Sequence, residues 1–221
     1  LRFDNQKDIA KLDSILNVLI GLEIVKQEKN YCILKVISES STQDFESIFR
    51  RLFYIIGSIG EELLTAIKNN DEKALNEMLT KELNVNKFSY YALRLLNKYG
   101  YKETGRTQVY AYIIEQLERI GDIYSELANF LLEHNIRLNK DIIDMIDQVN
   151  VLFKKCHEAT FNLSKENAVA ISLFHEQIKS KLNSSLKTKS VEELRIILCL
   201  RELRFDTISI LGIQLSMIKD I

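Results

Sequence analysis

Residues 114–128 read IEQLERIGDIYSELA, and residues 200–206 read LRELRFD. Each stretch carries Glu, three residues, then Asp: Glu118 with Asp122, and Glu202 with Asp206. The separation is 84 residues, from 118 to 202 and from 122 to 206. One such pair is common by chance. Two pairs at matching places in similar stretches predict an internal duplication.

Working outward, apolar residues step by three and four, the spacing of amphipathic helices. Phe45, Ile48, Phe49, Leu52, Ile56, Ile59, Leu63 and Ile67 form a first stripe. Asn69-Asn70-Asp71 ends it and caps a second, running from Ala74 through Phe88, Leu95 and Tyr99 to Gly100. Thr104-Gly105 opens a third, through Val109, Ile113, Leu117, Ile120, Leu127 and Leu131 to about His134. After the polar break 135–140, three further helices are predicted over roughly 141–163, 166–184 and 190–219. The fold class is therefore all-α: two tandem three-helix bundles, up-down, related by duplication. The expected divisions are 41–136 and 137–221.

Residues 1–40 differ. Ile9, Leu12, Ile15, Leu16 and Leu19 keep helical spacing up to Gly21. Then Leu22–Val25 and Tyr31–Ile37 flank the polar Gln27–Asn30 and predict a hairpin. A lone hairpin is marginal in water. This segment is expected to be a helix and hairpin linker module outside both bundles. The chain begins at Leu1 without methionine, which reads as a piece of a longer protein.

Composition narrows the class. The 221 residues contain no proline and seven glycines, too few turn formers for a large β-sandwich or α/β enzyme. Thirty basic residues balance thirty-one acidic ones, against a general nucleic-acid binder. Three cysteines with no CxxC exclude a disulfide scaffold or zinc ribbon and favour a reducing compartment. No apolar run or signal sequence indicates membrane insertion or export.

Glu115, Glu118, Asp122 and Glu126 share an arc of about 80° on one helix. Like charges at i,i+4 repel by a few tenths of a kcal/mol. Such a strip is either a solvated face, expected to be largely exposed, or a cation site. Carboxylate oxygens suit Mg, Ca, Mn or iron. The second motif has Arg195 near its face and no further acids. No ExxH, HExxH, GxSxG or glycine-rich phosphate loop is present, so catalysis finds no support. His157 and His175 read as ordinary helix residues. Cys32 and Cys199 read as core fillers, and Arg201 with Arg204 as a solvated basic pair.

The stretch 114–128, with its LERIGD core, resembles the signature helix of the PhoU family of phosphate-uptake regulators. Leu19–Val25, Arg50–Phe53 and Tyr90–Lys98 resemble its archaeal type, in which a PhoU region follows an AbrB/SpoVT-like domain. The resemblance implies a non-enzymatic regulator in the cytoplasm, a homodimer, acting on a phosphate transporter or signalling protein. It implies metal (Fe, Mn, Mg or Zn) at Glu118, Asp122, Glu202 and Asp206, with Glu115, Glu126 and Glu82 as further ligands. Where the family tends to place an acid on the second helix, this chain has Asn86 after Glu82. The resemblance leaves two alternatives: the sensor half of a transcription regulator whose DNA-binding domain lies outside this chain, and a metal-dependent carboxylate enzyme.

Overall fold

The computed structural model describes residues 12, 16, 19–28, 31–36, 42–187 and 190–217. The predicted helix from Ile9 lies outside them apart from Leu12, Leu16 and Leu19. Strands β1 (Leu22–Gln27) and β2 (Cys32–Val36) pair antiparallel, with Leu22 opposite Val36 and an irregularity between Ile24 and Lys26. Arg94 donates to the Ile20 carbonyl, tying the start of the hairpin to the helical region.

Six helices follow: α1 (Thr42–Asn69), α2 (Glu72–Tyr99), α3 (Thr107–His134), α4 (Lys140–Phe161), α5 (Lys165–Ser184) and α6 (Val191–Leu215). Their ends follow from the sequence. Asp71 accepts from the Ala74 N–H at 3.0 Å, while Asn70 takes a left-handed φ of 52° to turn the chain. Gly100, at φ 69°, ends α2. Residues 104–106 form a short 3-10 turn before α3. Asn139 and Ser164 cap α4 and α5, and Ser190 with Glu193 forms a capping box for α6.

One hydrophobic core runs through both triplets. Within each triplet the three helices pack on one another, and the triplets meet through α1 on α4 and α3 on α6. Phe49 and Phe53 of α1 set their rings against Phe161 of α4. Tyr124 of α3 donates to the Asn150 side-chain oxygen at 2.7 Å, and Asn150 donates to the Gly60 carbonyl at 2.6 Å. A Cβ on Gly60 would lie 2.8 Å from the Tyr124 hydroxyl, so only glycine admits this crossing without a shift. Helices α3 and α6 begin 84 residues apart, at 107 and 191, the same offset as Glu118 and Glu202. The two motifs thus sit at one depth along equivalent helices.

Candidate functional site: an acidic seam between α2 and α3

Consecutive helices α2 and α3 pack tightly where Gly121 meets Val85. A Cβ on Gly121 would stand 3.0 Å from one Val85 methyl and 3.3 Å from the other. The missing side chain lets the backbones close, which brings the acids flanking Gly121 within reach of α2. Glu118 and Asp122 of α3 share the seam with Glu82, Asn86 and Tyr90 of α2.

The charges feel one another. Burial raises the Glu118 carboxyl, and the charges of Asp122, Glu82 and Glu115 raise it further against the opposing pull of Arg119. Asp122 is raised by burial and by Glu82, again opposed by Arg119. The Tyr90 phenol is raised by burial and by the charges of Glu118, Asp122 and Glu82. Neither Glu118 nor Asp122 has a hydrogen bond or ion pair among the described residues; Arg119 spends its Nε on Asp206. Asn86 donates to Glu82 Oε1 at 3.1 Å, while its own side-chain oxygen is buried without a partner. The seam is therefore oxygen-rich and anionic, with an acceptor left over. Among the described residues no three His, Cys, Asp or Glu side chains converge on one point.

The structure separates the other candidate ligands from this seam. Glu115 is exposed and contributes only its charge to Glu118. Glu126 is paired with Arg195 of α6 at 3.0 Å, and that guanidinium also lies 4.4 Å over the Phe130 ring. The strip is largely exposed, as expected, at Glu115, Asp122 and Glu126; Glu118 is half-buried, and Glu126 has a base where none was expected. Glu202 is exposed, but Asp206 is 2% exposed and bonded to Arg119 at 3.2 Å. Burial raises Asp206, with Arg119 opposing. The two motifs differ in chemistry although they match in register: the first is anionic and unpaired, while the second has its Asp bound by a cation from α3.

Spacing alone misleads at Arg204. Arg204 is buried and donates to His175 of α5, where a solvated pair was expected. His157 stacks on Phe53 at 4.9 Å, and its neighbour Cys156 is buried, its thiol pushed up to about 12, which removes it as a nucleophile. No helix among the described residues is long and apolar enough to cross a membrane.

Six helices in two triplets, joined through their first and third members, define a tandem helical bundle of the PhoU type. The chain superposes on the crystal structure of the phosphate transport system regulatory protein PhoU from Streptococcus pneumoniae with a TM-score of 0.67, covering 81% of this chain and 98% of that one at 17% identity. The fold is that of PhoU. In sequence, the chain is 26% identical over 133 residues to an uncharacterised protein of Methanocaldococcus jannaschii, a match covering 57% of this chain and 46% of that protein. The match thus spans about half the length of that relative. No known family model matches the sequence.

Proposed function

We propose that this chain is a PhoU-like regulator of phosphate uptake, working in the cytoplasm through protein contacts, with a cation held at the α2–α3 seam. The observation that carries the reading is the likeness to the Streptococcus pneumoniae regulator over nearly all of that protein. The absence of any activated nucleophile among the motifs supports a regulatory role over a catalytic one.

The seam supports the cation. Glu82, Glu118 and Asp122, with the unpartnered Asn86 oxygen, offer oxygen donors only. That chemistry suits Mg, Mn or iron better than zinc, which favours His and Cys. A bound cation supplies charge neutralisation: it would relieve the repulsion that raises Glu118 and Asp122. Asp206 is held by Arg119, which favours the first motif over the second for the cation.

The test is phosphate uptake in the host organism. Deleting the gene should abolish or blunt the response of uptake to phosphate supply. An allele carrying Glu118→Gln and Asp122→Asn should restore regulation only partly. Uptake that responds normally to phosphate after deletion would refute the reading.

A further inference from the structure

The α5–α6 side of the second triplet holds a buried positive charge. Arg204 of α6 is 9% exposed, and its Nε is buried with no hydrogen-bond partner. Its guanidinium donates to His175 Nε2, so that nitrogen is the unprotonated acceptor. His175 lies on α5 with a side chain 13% exposed. Arg201 stands one turn before Arg204 and adds a second positive charge beside it. A buried guanidinium is ordinarily paired with a carboxylate or phosphate, because an unpaired charge in a protein interior is costly.

The local acids do not serve. Glu176 is exposed, and Lys179 donates to both its oxygens at 3.0 and 3.1 Å. Asp206 is taken by Arg119. Burial and Arg201 both pull Arg204 down, with Glu176 the smaller opposing charge. Helix α5 buries Ala168, Ile171, Ile178 and Leu182 and packs chiefly on α4 and α6.

We propose that the α5–α6 seam is an oxyanion site in which Arg204 and Arg201 bind a tetrahedral dianion such as inorganic phosphate, while His175 holds the Arg204 guanidinium in place. Arg204 Nε supplies the donor that lacks an acceptor, and Arg201 supplies the second charge. The site rests on this seam alone and does not require the regulatory reading above.

The probes are inorganic phosphate, sulfate and acetate, each against chloride at equal ionic strength, with the whole chain. The resonance of the Arg204 Nε–H should shift saturably with phosphate and sulfate and not with acetate. The melting temperature should rise with phosphate in wild type. Arg204→Met should lose both responses, while melting higher than wild type in chloride because the unpaired charge is gone. Arg201→Gln should weaken phosphate binding by about tenfold or more, the loss of one charge-assisted bond. A response to acetate equal to phosphate would overturn the tetrahedral class and point to a protein carboxylate instead. Equal melting shifts in wild type and Arg204→Met, or an Nε–H signal unmoved by phosphate, would overturn the site altogether. If Arg204→Met does not fold, the wild-type resonance titration and Arg201→Gln decide it.

Discussion

Gly121→Ala tests the close approach that assembles the acidic seam. In an open helix this substitution stabilises by about 1 kcal/mol through helix propensity. Here the new methyl would stand 3.0 and 3.3 Å from the two Val85 methyls and 3.4 Å from the Val85 Cβ. Carbon contacts are comfortable at about 3.5–4.0 Å, so the overlap is about half an ångström. Val85 is fully buried and β-branched, with one favoured rotamer in a helix, so it cannot swing aside. Helix α2 must move, and overpacking of this kind costs about 1–3 kcal/mol. The net expectation is a loss of about 1 kcal/mol, or about 2–4 °C in melting temperature for a chain of this size. Val85→Ala in the Gly121→Ala background should cost less than Val85→Ala alone, by a coupling of at least about 0.5 kcal/mol. Displacing α2 also carries Glu82 away from Asp122, so the carboxyl pKa values should relax toward ordinary values. The assay is a double-mutant cycle by chemical denaturation, with the carboxyl titration followed by NMR. If Gly121→Ala raises stability, or the cycle shows no coupling, the close approach does not govern this seam.

Three further outcomes follow from the same packing. Gly212 is exposed, and a Cβ there would meet nothing within 4 Å, so it should accept alanine with a gain of about 0.5–1 kcal/mol, whereas Gly60→Ala should destabilise because its Cβ would meet Tyr124 and Asn150; paired thermal melts check both. Arg119→Ala leaves the buried Asp206 carboxylate without its partner and should cost more than Asp206→Asn, which keeps the shape and removes the charge; denaturant unfolding of the two variants decides the order. The carboxyls of Glu118, Asp122 and Asp206 are raised in the fold above their unfolded values, so the folded state binds more protons. The metal-free protein should therefore gain stability from these groups as pH falls from neutrality through their raised values, and Glu118→Gln with Asp122→Asn should flatten that rise in a pH series of melts.

The helices were legible because their signals are local. Apolar spacing placed all six, and Asp71, Asn139, Ser164 and Ser190 mark starts through caps that a sequence displays openly. The hairpin was legible for the same reason, from two β-rich runs around a polar turn. The acidic seam was half legible. Glu118 and Asp122 lie side by side by helix geometry, but whether Glu82 faces them depends on how α2 is rotated against α3. Gly121 was a partial signal: a helical glycine leaves room for a close neighbour, as it does here, but Gly212 shows that it does not require one. The partners of Glu126 and Asp206 were not legible. They come from α6 and α3, and spacing within one helix says nothing of which neighbour supplies a base. Arg204 misleads for a related reason: an arginine beside a second arginine looks solvated until the neighbouring helix is known to cover it.

Metal binding at the first motif is the most direct test of the account. The protein should be stripped with chelator, then analysed for bound Mg, Mn, Fe and Zn and melted with each. Mn, Mg or Fe should bind and raise the melting temperature of wild type, by mass action on the folded state. Glu118→Gln with Asp122→Asn should lose both the bound metal and the shift, whereas Glu202→Gln should keep them. Equal shifts in wild type and the first-motif double variant, or no bound metal in either, would contradict it and leave the seam as unneutralised surface charge.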